Sequence, residues 1–435
     1  MWNSQPITEV PVGAPIEPSD GQGSPRGLQY SKGLRHDLFP DPVSWDHRNA
    51  FFRSHEAKGI TGSIASLTYV ENLPADASRC HQRAAPFLRY NRLLGMPSAV
   101  QSVPPAGSTL GSGDHVAEFR ALIGASGIYD LRGRCKVALT GGDRVRWLNG
   151  MVTNNVRDLA IGHGVYAFLL NPQGHIQADL YAFQRGEHIL VDFDSELRDK
   201  VLGLFDHYII ADDVEVAEIN ASVSAIGLSG PKSVETLKSA GFVWPDLEPL
   251  QLADVSWNGL GVTILRSGEE AAPSWQVWMG SEHYSKVWDA LIAAGGKPCG
   301  GDALELFRIA KGIPRFGQDI RERDLPQETR QERALHFAKG CYIGQEIVER
   351  IRSRGAVHRL FSGFRVSGPL PAVGSKIESE AKEVGEVTTA AILPFESGNQ
   401  SVALGYIRRE AMSGKELRAG EIVLAVANTP FSAEV

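Results

Sequence analysis

The run Lys339-Gly340-Cys341-Tyr342-Ile343-Gly344-Gln345-Glu346 places a thiol between two glycines, two positions after a lysine. Just beyond it, residues 344–352 carry apolar side chains at 347, 348 and 351, the spacing of a helix with one buried stripe. A cysteine ahead of a helix N-terminus and near a lysine is biased towards thiolate, the nucleophilic and metal-binding form. Gly340 and Gly344 allow a tight backbone path and close approach of a ligand or partner. Arg350, Arg352, Arg354 and Arg359 follow, a cationic cluster suited to an anionic partner. The same residues also fit a quieter reading, a buried inert cysteine in a tight turn beside a solvated row of arginines. Local physics does not decide between the two.

The elements that must position this run are legible from about residue 115. Residues 115–123 read as a helix and 135–139 as a strand that ends at Thr140-Gly141-Gly142, after which Asp143 is placed to cap a helix carrying Val145, Trp147 and Leu148. Residues 166–170 and 176–183 read as strands joined by the turn Asn171-Pro172-Gln173-Gly174. A strand at 189–191 and a helix at 196–209 follow. The same kinds of element then recur: a strand at 223–228, a helix start at Gly230-Pro231, a strand at 262–265, and a helix at 284–294 closed by Gly295-Gly296. Beyond about 358 helices stop, and strand-like runs at 360–366, 386–393, 401–407 and 421–426 alternate with Gly, Pro and Ser turns, the pattern of a small β-barrel or sandwich. The expected domains are a low-complexity extension over 1–112, an α+β domain over 113–225, a second over 226–357 holding the cysteine motif, and a barrel over 358–435.

Composition sets outer limits. A chain of 435 residues exceeds the roughly 250–300 that one hydrophobic core supports. Its hydrophobic content of 43% and charged content of 22% are ordinary for globular proteins. A net charge of −7 argues against a protein built to coat nucleic acid. Roughly half of the 24 prolines fall within 1–112, where burial has difficulty offsetting ordering entropy, so that stretch is expected to be largely disordered. No apolar run approaches the ~20 residues of a membrane-spanning helix. Cys80, Cys135, Cys299 and Cys341 are too scattered for a metal-ligand pattern and too few for a disulfide framework, which suggests reduced thiols. Early Glu9, Glu17 and Asp20, without a basic flank and apolar core, do not read as a leader peptide, and a cytoplasmic location is expected.

The motif decides more than its local physics. K-G-C-Y-x-G-Q-E followed by R-x-x-x-R-G-x-x-x-R resembles the signature of YgfZ-type folate-binding proteins of the glycine-cleavage T-protein superfamily. It is matched at Lys339, Gly340, Cys341, Tyr342, Gly344, Gln345 and Glu346, then at Arg350, Arg354, Gly355 and Arg359. The likeness extends over roughly 115–428. Leu148-Asn149-Gly150-Met151-Val152-Thr153-Asn154-Asn155-Val156 is similar to the family's L-x-G-x-x-T-x-D-V, with Asn155 where an acid is commoner. The stretch from Ala303 to Pro314 resembles A-L-x-x-x-R-I-x-x-G-x-P, and Pro326-Gln327-Glu328 fits the P-x-E after it.

This resemblance implies a ring of two related α+β, ferredoxin-like folate-binding domains with a C-terminal antiparallel β-barrel, and tetrahydrofolate near the central opening. It implies a helper in assembly or repair of iron-sulfur enzymes, including radical tRNA-modifying enzymes, without stable binding of nucleic acid or membrane and without a resident metal. Cys341, with Lys339 and Asp179, would form the reactive group; Asn149, Asp179, Arg266, Glu269, Gln276, Tyr342, Gln345 and Arg354 would contact folate.

The alternative is a folate-dependent aminomethyltransferase, whose chemistry needs a carboxylate near the folate. The segment from Asn171 to Leu180 resembles the T-protein's G-G-x-x-D-D-L hairpin, with Ala178 in place of the first acid and Asp179 retained. Arg266-Ser267-Gly268-Glu269 resembles part of R-x-x-x-T-G-E-x-G-x-E, shortened and with Gln276 in place of the last glutamate. The weakened acidic positions favour folate binding without aminomethyl transfer. A flavin-linked oxidoreductase is excluded by the lack of a G-x-G-x-x-G fingerprint after a strand.

Overall fold

The alternation that begins near residue 115 resolves into one strand-and-helix unit used twice. The computed structural model describes residues 111, 113–268, 274–355, 357–413 and 416–432; Cys80, Glu269 and most of the 1–112 extension lie outside them. The chain enters through α1 (His115–Gly124), whose N-cap Asp114 accepts from Ala117 N, and β1 (Gly127–Asp130). The first copy runs β2 (Arg134–Thr140), α2 (Arg144–Met151), β3 (Gly164–Leu170), β4 (Ile176–Gln184), β5 (Ile189–Asp194), α3 (Arg198–Tyr208) and β6 (Glu215–Glu218). The second repeats it with β7 (Val223–Ser229), α4 (Ser233–Ser239), β8 (Leu252–Trp257), β9 (Leu260–Arg266), β10 (Ser274–Gly280), α5 (Tyr284–Ala293) and β11 (Lys297–Pro298). The first sheet has the order β3-β4-β5-β2-β6, and the second repeats it as β8-β9-β10-β7. There β1 inserts between β7, antiparallel, and β11, parallel. The stretch before β2, assigned from sequence to the first α+β domain, is thus hydrogen-bonded into the second sheet.

Strand parity gives each sheet two different faces. Along β4, Ile176, Ala178, Leu180 and Ala182 are buried while Gln177, Asp179 and Tyr181 are half-buried. Ala178, Leu180 and Ala182 join Val137, Leu139 and Val191 in a core under α2 and α3; Val277, Met279 and Ile264 form the equivalent core under α4 and α5. The opposite faces of the two sheets pack together through Ala138, Phe183, Leu190, Ala225, Leu252, Leu265 and Trp278. Two local details differ from the sequence reading. Asp143 occupies the N-cap of α2, yet its carboxylate accepts from Asp213 N instead of capping; and α4 starts at Ser233, after Pro231.

After β11 come α6 (Gly301–Lys311), ended by Gly312 in the left-handed region at φ 68°, and α7 (Gln345–Arg354). The C-terminal part is a closed antiparallel barrel in the order β12-β15-β14-β13-β16-β17: β12 (Arg359–Ser367), β13 (Lys376–Ser379), β14 (Lys382–Phe395), β15 (Gly398–Arg408), β16 (Leu417–Ala419) and β17 (Ile422–Ala427). The short β13 and β16, absent from the sequence reading, complete the closure that removes free edges. No helix among the described residues is long and apolar enough to cross a membrane.

Candidate functional site

The motif segment seats in a socket made by the α2–β3 turn, so two stretches about 190 residues apart build one structure. Lys339 is 9% exposed, and its Nζ donates to three backbone carbonyls: Asn149 O at 2.6 Å, Val152 O at 2.5 Å and Asn154 O at 2.8 Å. Asn149 Oδ1 shapes the same turn by accepting from Val156 N and Arg157 N. Thr153 donates to Ala334 O, Asn154 Nδ2 donates to Arg333 O and Tyr166 O, and Ile343 N donates to Gly150 O. Burial, with Arg157 nearby, pulls the Lys339 pKa down to about 7, while three carbonyl dipoles oppose loss of the proton. Lys339 is therefore a clamp whose charge is directed at backbone, and the expected pairing with the Cys341 thiol gives way to this role.

The turn carrying Cys341 is held from its other side by the β3–β4 hairpin. Gly344, at φ 80°, packs so closely that a Cβ there would lie 2.6 Å from Asn171 O. Gly174 of the hairpin would likewise place a Cβ 2.7 Å from Ile347 Cβ. Gln345 Oε1 accepts from Tyr342 N, and the Tyr342 ring, half-buried beside Val348 and Phe168, lies under Lys339 Nζ. Cys341 is exposed; Cys135 and Cys299 are buried, and burial pushes both thiols up, Cys299 to about 12. Arg157, which sequence reasoning did not single out, is exposed and reaches within 3.5 Å of the Cβ direction of Gly340.

The expected cationic cluster is not one surface. Arg359 donates to Asp324 (2.7 Å) and Glu328 (2.9 and 3.0 Å), stacks on Tyr406, and fastens the barrel to the segment before the motif. Arg350 and Arg352 are exposed but pair along α7 with Glu346 and Glu349. Arg354 ends α7, and its side chain lies outside the described residues.

On the strand that follows the same hairpin, Asp179 turns away from the first core and towards the second sheet. Its Oδ2 accepts from Tyr166 Oη at 2.9 Å. Burial pushes its pKa up, against the Tyr166 hydrogen bond and Arg134. Ala178 is fully buried in the first core, so an acid there would enter the core under α2 and α3 and not join Asp179. Gln276 lies on the inter-sheet face of β10, its Oε1 accepting from Trp278 Nε1 at 2.8 Å. Arg266 does not join this face: β9 directs Leu265 between the sheets and Arg266 the other way, where it donates to Leu247 O. Glu269 lies outside the described residues.

Several groups near Asp179 were missed. Arg333 lies over the Tyr166 ring at 4.5 Å and donates to Gly268 O. Arg134 Nε donates to Asp192 at 2.9 Å, and Lys136 Nζ is 3.7 Å from the same carboxylate. Their signal was available: Arg134 and Lys136 alternate with buried Cys135 and Val137, which is the pattern of charges on the non-core face of a strand. Of two cavities, the first stands apart from this chemistry and the second shares Trp278 with it. One of about 580 Å³ lies between α1, α6 and β14, and one of about 310 Å³ is lined by His188, Ile219 and Trp278. The hydrogen-bonded groups around Asp179, not cavity size, mark the site.

Comparison with known proteins agrees with this architecture. Residues 98–339 match the family of the GCVT N-terminal domain, and residues 359–431 match the CAF17 C-terminal beta-barrel domain. An aminomethyltransferase of Symbiobacterium thermophilum is 25% identical over 332 residues, covering 73% of this chain and 88% of that protein. One from Nostoc sp. is 27% identical over 303 residues, covering 67% and 79%. Among solved structures, glycine cleavage system aminomethyltransferase T from Bartonella henselae superposes with a TM-score of 0.67 at 19% identity, covering 80% of this chain and 97% of that one.

Proposed function

We infer that this chain, which belongs to the GCVT N-terminal domain family, binds tetrahydrofolate between its two sheets and supports iron-sulfur enzymes through the Cys341 thiol. One observation carries the reading. The β3–β4 hairpin that bears Asp179 is also the surface on which Gly344 and Ile347 pack, so the inter-sheet acid and the exposed thiol are fixed by one element.

The residues present suit a reduced pteridine, which offers ring N–H donors, a carbonyl and a flat face. Asp179 is an acceptor oriented by Tyr166, Arg134 is a donor, and Tyr181 and Trp278 supply aromatic surface. Bound tetrahydrofolate supplies nitrogen positions for a one-carbon unit. Asp179, with its pKa raised by burial, can hold a proton at Oδ1 or Oδ2 close to such a ring. Cys341, outside the packed interior, is the group available to a protein partner such as a radical tRNA-modifying enzyme.

Calorimetric titration with tetrahydrofolate, paired with complementation of iron-sulfur enzyme activity in cells lacking the protein, separates the two functions. Asp179→Asn is expected to weaken folate binding. Cys341→Ala should bind folate as wild type does and fail to complement. Full complementation by Cys341→Ala would remove the thiol from the reading. Aminomethyl transfer stands as the second reading, favoured by the raised Asp179 pKa. It predicts release of methylenetetrahydrofolate from an aminomethyl-loaded lipoyl carrier, which the helper reading does not.

A further inference from the structure

The two repeats share one register across their sheets but fill their inter-sheet faces differently. The buried rows Ala182-Val191-Val137 and Ile264-Val277-Ile226 hold equivalent places in the first and second sheets. The next row, on the opposite face, is Tyr166, Tyr181, Asp192 and Lys136 in the first repeat and Asp254, Thr263, Trp278 and Ala225 in the second. Two residues further along the same strands, Asp179, Asp194 and Arg134 correspond to Gly261, Gly280 and Val223. Three charged side chains thus give way to two glycines and a valine, and the space is left open. A Cβ on Gly261 would meet nothing within 4 Å. Gly261, Gly280, Val223, Thr263, Trp278 and Asp254 all line the cavity of about 310 Å³, which Leu190 and Ile219 wall from the first repeat's side. At its mouth the Asp254 carboxylate, 65% exposed, accepts from Arg185 at 2.8 and 2.9 Å and from Thr263 at 2.5 Å, which engages three of its roughly four lone-pair positions.

We propose that this cavity is a second ligand site, which takes a small uncharged aromatic molecule carrying one N–H or O–H donor. Gly261 and Gly280 leave bare backbone on the paired strands β9 and β10, a slot into which a flat ring fits. Trp278, Leu190, Ile219 and Val223 supply apolar and aromatic surface, and the acceptor position still open on Asp254 fixes which edge of the ring faces the mouth. Charge on the ligand is disfavoured. Arg185 and Asp254 neutralise each other, Glu187 is exposed to water, burial keeps His188 neutral, and the deeper walls are apolar. The assignment does not depend on the folate reading, because Asp179 and its neighbours belong to the first repeat; the two ends of the interface have Trp278 in common.

The test is calorimetric titration of the full chain with indole, and with 1-methylindole, which lacks the donor. Wild type is expected to bind one indole with a Kd below about 1 mM. The methylated probe should bind at least about threefold more weakly, the loss of one hydrogen bond to a charged acceptor. Saturating tetrahydrofolate should not displace indole. Gly261→Phe, which puts a ring into the open space, and Val223→Phe, which narrows the cavity from β7, should each weaken indole by at least about tenfold and leave the response to tetrahydrofolate as in wild type. The two variants lie on different strands, so the test stands if one of them fails to fold. Absence of saturable indole binding in wild type, or undiminished affinity in the variants that fold, overturns the site. Equal affinity for 1-methylindole overturns the role of Asp254 as acceptor, and displacement by tetrahydrofolate overturns the separation of the two sites.

Discussion

Replacing Lys339 by methionine separates two accounts of the motif lysine. One makes it a charge that favours the Cys341 thiolate; the other makes it a clamp for the α2–β3 turn. Methionine keeps most of the apolar stem and removes the ammonium that donates to Asn149 O, Val152 O and Asn154 O. Hydrogen bonds to a charged group contribute about 1.5–3 kcal/mol each, so three amount to roughly 5–9 kcal/mol before desolvation. Burying the ammonium offsets several kcal/mol of that. The net loss on substitution is therefore about 3 kcal/mol. Urea unfolding of wild type and Lys339→Met, read as a midpoint shift at constant slope, measures it. The second readout is the rate of Cys341 alkylation by iodoacetamide at pH 7 in a Cys80→Ser background, where Cys135 and Cys299 are protected by burial. The clamp predicts reduced stability and an alkylation rate that holds or rises as the turn loosens. A rate that falls by about tenfold with stability changed by less than about 0.5 kcal/mol would refute the clamp and restore the charge role.

Three further outcomes follow from the same geometry. His188 is 8% exposed, and burial, with Arg185 and Arg144, lowers its pKa from 6.5 to about 4. The unfolded chain therefore binds the extra proton first as pH falls; its stabilising neutral state is complete above 6.5 and is lost down to about 4, a loss of about 3 kcal/mol that His188→Asn should remove from the pH dependence of urea unfolding. Arg359→Met leaves Asp324, fully buried, and Glu328 without the guanidinium that spans them, and should cost about 3–5 kcal/mol in urea unfolding at pH 7. Gly344→Ala forces a side chain into the left-handed region and against Asn171 O, and should cost about 1–3 kcal/mol in thermal or urea unfolding.

Local signals in the sequence were sufficient for some elements and uninformative for others. The Asn171-Pro172-Gln173-Gly174 turn located the β3–β4 hairpin, and the apolar stripe at 347, 348 and 351 located α7, because both depend on neighbours a few residues apart. β1, β6, β11, β13 and β16, each of at most four residues and a strand only by virtue of distant partners, were missed, and so were the longer β8 and β10. The same division holds at the site. Exposure of Cys341 agrees with two glycines in a tight turn. The role of Lys339 was hidden, since its acceptors lie some 190 residues upstream. Arg266 shows a different limit. A strand through 262–265 already sets Arg266 opposite in face to Leu265, but which face meets the other sheet is a tertiary fact.

What the motif residues do to one another bears on what Cys341 does. Lys339 clamps the socket, Gly344 admits the hairpin, Gln345 closes on Tyr342 N, Tyr342 fills the space beside Val348, and Arg359 fastens the barrel. Each has a packing or hydrogen-bonding task that explains its residue type. Cys341 sits exposed at the centre of this arrangement, and a serine or alanine would satisfy the backbone there equally well. Several distant segments thus converge to hold a turn whose own side chain contributes nothing to holding them. Such a framework is expected around a group that must be presented to something else. Lys339 directs its ammonium at backbone carbonyls, and the residues around Cys341 fix where it stands.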